Sequence, residues 1–202
     1  MRKTIYLLLI MACMVLFLQG CITSRHTERD IKGLDRTLDM FTYIEEGNLI
    51  ALVASTYATR LREAEAYIPL EVSIANKGLA NLTITRESFM LVDEEGNNYP
   101  LVPTKELLDN YEKQDFDRSF AHIHKVVYSI FDAYTQVESN FEPDRFGRRR
   151  IVIDKVELPK FSYLIDMLYF RKPKAGLKGK KFELFLTAQE LEEPVFVKFM
   201  VE

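Results

Sequence analysis

Residues 68–85, IPLEVSIANKGLANLTIT, decide the fold class. Ile68, Leu70, Val72 and Ile74 alternate with Pro69, Glu71, Ser73 and Ala75, the two-residue period of a strand with one face in a core. Asn76-Lys77-Gly78 then supplies a turn, and Leu82 and Ile84 alternate with Thr83 and Thr85 on the way back out. Pro69 has no N–H to give to a ladder, so its strand is expected to begin on a sheet edge.

The same pattern continues on both sides. Leu49 to Tyr57 is an apolar, β-compatible run, and Phe89 to Asp93 turns through Glu95-Gly96-Asn97-Asn98 into Tyr99 to Val102. Strands return at Arg150 to Leu158, Phe161 to Phe170, Lys181 to Thr187 and Val195 to Val201, the last with Val195, Val197, Phe199 and Val201 on one face. Between these two groups the period changes. Pro103-Thr104 opens a helix, with Glu106 in its first turn. Phe116, Phe120, Ile123, Val127, Ile130, Tyr134, Val137 and Phe141 then follow at alternating steps of four and three, the spacing of a single apolar stripe on one long helix. Strands, then helix, then strands predict a mainly β chain: a β-sandwich, residues 38–202, interrupted by a helical insertion at about 104–142.

Composition narrows the function classes. The 202 residues are 48% hydrophobic and 28% charged, an ordinary globular balance with room for one domain. The net charge is −3, which makes a poor general ligand for nucleic acid, since that affinity is largely phosphate neutralisation.

The N-terminus carries a motif of a different kind. Arg2 and Lys3 precede an uncharged run from Ile5 to Leu18, which as a helix would cover about 21 Å at ~1.5 Å per residue. That is short of the ~30 Å hydrocarbon core of a bilayer. Leu18-Gln19-Gly20-Cys21 closes the run. It resembles the lipobox of bacterial lipoprotein precursors, in which cleavage precedes a cysteine whose thiolate takes a diacylglyceryl group. Gln19 is a less usual choice beside the cleavage site. The resemblance implies a signal peptide over residues 1–20, acyl chains (palmitate among them) on Cys21, and a polar tether over residues 21–37 holding the domain to a membrane of the cell envelope. Ile22 is not the aspartate that marks inner-membrane retention in enteric bacteria, so in a host with two membranes the outer one is expected. Cys13 would leave with the leader and Cys21 would be acylated, so the mature domain has no thiol for catalysis, zinc or a disulfide.

Residues 67–102 and 181–201, with the turn at Asn76-Lys77-Gly78 and the run Phe89-x-Leu91-x-Asp93-x-x-Gly96, resemble the immunoglobulin-like domains of bacterial lipoproteins of uncharacterised function. That resemblance covers about a third of the chain. It implies a binding or scaffolding module and brings no catalytic residues.

Candidate sites are few. The stripe Phe116, Phe120, Ile123, Val127, Ile130, Tyr134 and Val137 is what a protein partner's helix would recognise, although such a stripe commonly packs on its own domain. Arg171, Lys172, Lys174, Lys178, Lys180 and Lys181 form a basic run without an intervening acid, either a solvated loop or a patch for an anionic surface. Arg145, Arg148, Arg149 and Arg150 mark the exit from the insertion. His122 and His124, two apart on a helix, cannot share a metal ion. No Gly-x-Ser-x-Gly, His-Glu-x-x-His or phosphate-cradling glycine loop occurs, and no cofactor is implied. The expectation is a non-catalytic envelope module with a protein partner. Its alternatives are a glycan or lipid hydrolase using paired carboxylates, and a carrier of a small apolar ligand held between sandwich and helix.

Overall fold

The computed structural model describes residues 40–142 and 152–201, which belong to one compact unit, Arg36–Glu202. The leader, Cys21, the tether and the arginines at 145 and 148–150 lie outside the described residues.

Among the described residues, eleven strands and four short α-helices follow in order. β1 (Thr42–Glu46) and β2 (Ile50–Ser55) form a hairpin. Helix α1 (Tyr57–Arg60) leads to β3 (Tyr67–Asn76), β4 (Asn81–Thr85), β5 (Phe89–Asp93) and β6 (Asn98–Pro100). The insertion holds α2 (Thr104–Asn110), α3 (Gln114–Ser119), α4 (Ile123–Ile130) and β7 (Thr135–Gln136). β8 (Lys155–Pro159), β9 (Ser162–Arg171), β10 (Lys181–Leu186) and β11 (Val195–Met200) complete the chain. One sheet runs β1-β2-β3-β9-β7, a second runs β11-β10-β5-β6, and β4 pairs with β8 alone. The protein is mainly β, with a few helices.

The main core lies between the sheets. Leu52, Ile68, Leu70, Val72, Ile74, Leu164 and Leu168 from the first sheet meet Phe89, Leu91, Phe182, Leu184, Val197 and Phe199 from the second, all in one buried cluster. Each such side chain contributes on the order of 1.5–3 kcal/mol by leaving water. The turn after β3 is tight at Gly78, where a Cβ would come within 2.6 Å of Leu49 Cδ2 and 3.3 Å of Leu49 Cα, so Leu49 would have to shift.

β3 departs from the half-buried strand that its alternation predicts: every residue in it is buried. Its second face is covered by the insertion. Ala51, Val53 and Ala75 pack under Ile123, Val127 and Phe131, while Tyr67, Met167 and Tyr169 pack under Ala58, Leu107 and Tyr111. Two layers of sheet thus carry a third layer of helices.

Pro69 lies inside β3, opposite Tyr169 of β9, and not on an outer edge. The reason is local. β2 stops where Ser55 faces Glu71, so beyond it the flank of β3 is open and is capped by α1, whose Thr59 hydroxyl donates to the Pro69 carbonyl. The missing N–H falls on that flank, where no ladder bond is required.

The single helix expected over residues 116–141 is not formed. α3 ends at Ser119, α4 starts at Ile123, and after Ile130 the chain becomes β7, which runs parallel to β9 with Thr135 opposite Ser162. Tertiary partners override the period at both breaks. The Glu71 carboxylate takes the first amides of α4, and the open edge of β9 takes Thr135 N–H at Phe161 O (3.0 Å) and Val137 N–H at Tyr163 O (2.8 Å). Stripe positions consequently part company, with Val127 under the outer layer and Phe141 in the main core against the Phe89 ring at 5.6 Å.

Candidate functional site

The basic run forms one wall of a cleft of about 500 Å³ at the end of the second sheet; the other wall is the turn between β5 and β6. That turn is built by Asp93. Its carboxylate accepts the N–H groups of Glu95 (3.0 Å) and Asn97 (2.8 Å) and the Tyr99 hydroxyl (2.9 Å), and Gly96 takes a φ of 83° that a side chain would resist. Loss of water pushes the Asp93 carboxyl up, but these hydrogen bonds together outweigh it and hold it below its ordinary range, whereas partial burial and the Asp93 carboxylate push Tyr99 up to about 12. Pro173 and Phe182 give the cleft an apolar floor.

Three of the six predicted cations are engaged within the chain. Arg171 forms a fork with Glu106, Lys172 Nζ donates to the Glu63 carbonyl at 2.8 Å, and Lys180 sits 3.2 Å from Glu94 and 3.5 Å from Glu95. Lys174, Lys178 and Lys181 are exposed, and Lys174 lines the cleft. The patch is therefore a mixed surface, with acids facing cations. The acidic wall was not singled out in the sequence, because proximity between residues 93–99 and 171–182 is created by strand pairing alone.

A second assembly of charge is sealed inside. Glu142 is fully buried, with Arg86 at 2.9 Å; the same guanidinium also donates to the carbonyls of Phe141 and Val102. Arg118 donates to the Glu142 carbonyl at 2.9 Å. Asp166, on β9, accepts the N–H of Phe141 (2.9 Å) and of Met167 (2.8 Å). Loss of water pushes Glu142 up to about 8 in spite of Arg86, with Asp166 adding a like charge; burial pushes Asp166 up as well. Nearby, Asp117 of α3 takes Arg62 (2.6 Å) and the Tyr111 hydroxyl (2.6 Å), and burial still raises it. α3 is thus turned inside out: Gln114 and Asp117 point inward while Phe116 is 65% exposed. One signal for the buried acids was available. Glu71 and Asp166 are lone carboxylates inside otherwise apolar strands.

Ser55, His122 and Glu71 stand in a row that resembles a nucleophile, base and orienting acid. His122 Nε2 is 3.3 Å from Ser55 Oγ and its Nδ1 is 3.5 Å from Glu71 Oε2. The row works as a cap. Ser55 is completely buried and its oxygen accepts the Tyr57 N–H, while Glu71 accepts the amides of His122 (3.0 Å) and Ile123 (3.2 Å). Burial also raises Glu71, which weakens it as a partner for an imidazolium. His124, one residue into α4, is exposed, and the described residues contain no group of three or more metal-ligating side chains placed to hold an ion.

The partner stripe is dispersed as well. Ile123 and Val127 are fully buried, Ile130 and Tyr134 pack beside them, Val137 packs on the main core, Phe120 is half-buried and only Phe116 is largely free. A partner helix would have to displace α4 from the sheet to reach Ile123 or Val127. Among the described residues, no helix is long and apolar enough to cross a membrane.

No family model matches the chain, and no curated protein is significantly similar to it. Among solved structures it is similar to a protein of Bacillus subtilis, ycdA, described as a candidate lipoprotein. The identity is 12% and the TM-score 0.41, over 78% of this chain and 38% of that one. The functional reading rests on the residues of this chain.

Proposed function

We propose that the protein is a lipid-anchored, non-catalytic binding module of the cell envelope. The observation that carries this reading is Leu18-Gln19-Gly20-Cys21 at the end of the uncharged run, with basic residues before it and a polar segment after it. The domain fits such a role. Its core is buried, and it carries a cleft with acids on one wall and cations on the other, suited to a polar protein surface of mixed charge.

The same reading takes the domain as immunoglobulin-like. Strand order supports it: β2, β3 and β9 would be strands A, B and E, opposite β5, β10 and β11 as C, F and G. In a host with two membranes, Ile22 favours the outer one.

Metabolic labelling with tritiated palmitate tests the anchor. Wild-type protein is expected to carry label and to float with membranes, and Cys21→Ser to carry none. Label that persists in Cys21→Ser, or is absent from the wild type, overturns the reading. Charge reversal at Lys174, which lines the cleft, tests it by loss of whatever envelope protein crosslinks to the wild type.

A further inference from the structure

Seven large hydrophobic side chains are exposed among the described residues, and four of them, Met40, Tyr57, Leu61 and Phe116, lie on segments that meet in one place. The Phe41 ring lies tilted against Tyr57 at 5.7 Å, Tyr57 meets Phe120 edge-on at 6.3 Å, and α3 is tied to the loop after α1 by the Arg62–Asp117 pair. Two guanidinium groups lie over this aromatic surface, Arg60 at 4.3 Å from the Phe41 ring and Arg62 at 5.3 Å from that of Phe120. Aromatic rings interleaved with arginine are the chemistry of a bilayer interface, where rings sit at headgroup level and cations meet lipid phosphates. Asp117 and Arg62 neutralise one another, as do Glu65 and Lys113, so the apolar and aromatic side chains carry the surface.

The position of the patch in the chain identifies its occupant. Met40 and Phe41 belong to the patch, and Cys21 precedes Met40 by only nineteen positions. At ~3.3–3.6 Å per residue that segment can reach no farther than about 70 Å in any conformation. We infer that the surface formed by Met40, Phe41, Tyr57, Leu61 and Phe116 docks on the bilayer that holds the Cys21 lipid. This inference rests on the lipid-anchor reading. It adds a second, weaker contact, which fixes how the domain faces the membrane.

The chain has no tryptophan, so Tyr57→Trp places a single reporter in the patch and Phe196→Trp, on β11, a single reporter outside it. The full-length lipidated protein, purified from membranes, is reconstituted into vesicles of phosphatidylethanolamine and phosphatidylglycerol with brominated acyl chains. Emission from Tyr57→Trp is expected to fall by half or more and that from Phe196→Trp to hold. Leu61→Trp, at a more exposed position, serves as a second reporter should the first perturb folding. Vesicle-bound protein with no quenching at 57 or 61 overturns the docking surface and leaves the anchor standing. So does equal quenching at 196, or quenching that survives Met40→Ser with Phe116→Ser. Protein that carries no acyl chain by mass spectrometry and does not float with the vesicles overturns both readings.

Discussion

Glu71 and Ile123 are 52 residues apart in sequence, yet the Glu71 carboxylate accepts the Ile123 N–H at 3.2 Å and so supplies the cap that α4 lacks locally. The acceptor comes from the middle of β3, through the only face of that strand that is not in the main core. Helix and sheet are therefore coupled by a buried charge and by the packing of Ile123 and Val127. Removing the carboxylate strands buried amides, each costing about 1–3 kcal/mol. Glu71→Ala is expected to destabilise the protein by about 2–4 kcal/mol in urea unfolding, with hydrogen exchange accelerated at Ile123 and the residues after it. Exchange unchanged in α4 would show that the cap is dispensable.

Stability should decline as pH rises through neutrality. Burial raises Glu71, Asp117, Asp166 and Glu142, the last to about 8. Each holds its proton in the fold at a pH where the unfolded chain has released it. The stabilisation is therefore complete below the ordinary carboxylate range and lost progressively up to about pH 8. Asp93 and Glu106 are shifted down and act with the opposite sign, in a separate window below the carboxylate range. The urea midpoint at pH 5.5 is expected to exceed that at pH 8.5, and Glu142→Gln to flatten the difference. A midpoint that climbs with pH would contradict this account.

Gln114 offers the reverse case. Its amide is buried on the inner face of α3 with no hydrogen-bond partner for either its nitrogen or its oxygen. Replacing an unpaired buried amide by an apolar side chain of similar size removes a cost of about 1–3 kcal/mol. Gln114→Leu should raise the thermal midpoint. A lower midpoint would mean that the amide is solvated inside the fold.

Val127→Ala and Phe116→Ala separate packing from surface along the old stripe. Val127 has no exposure, so its truncation is expected to cost about 1–3 kcal/mol through lost contacts and a residual cavity. Phe116 is 65% exposed, and its removal should change stability by no more than about 0.5 kcal/mol. Equal costs would refute the inverted orientation of α3.

Where the sequence was readable, two-residue alternation and turn residues coincided. β5 spans Phe89–Asp93 as expected, and β3, β4, β9, β10 and β11 lie within one or two residues of expectation. β1 was missed because its alternation is diluted by Glu45, Glu46 and Gly47, and its pairing with β2 is what makes it a strand. The long helix failed for the same kind of reason. A four-three spacing from Phe116 to Phe141 is real, but apolar residues at that spacing can enter three different clusters once Glu71 and the edge of β9 compete for the backbone. The cleft was half legible, its cations by composition and its acids only by topology.

The outer strands have a consequence for crowding. β6 is three residues long and ends in Pro100, and β7 is two residues long, so neither offers another copy much backbone to pair with. The longer borders, β1 and β11, lie side by side across the two sheets, and the Tyr43 hydroxyl donates to the Met200 carbonyl at 3.1 Å. Under the proposed lipid anchor, copies of the chain would meet one another far more often than in free solution. Borders this short, or covered in this way, would limit edge-to-edge pairing between copies along the two larger sheets.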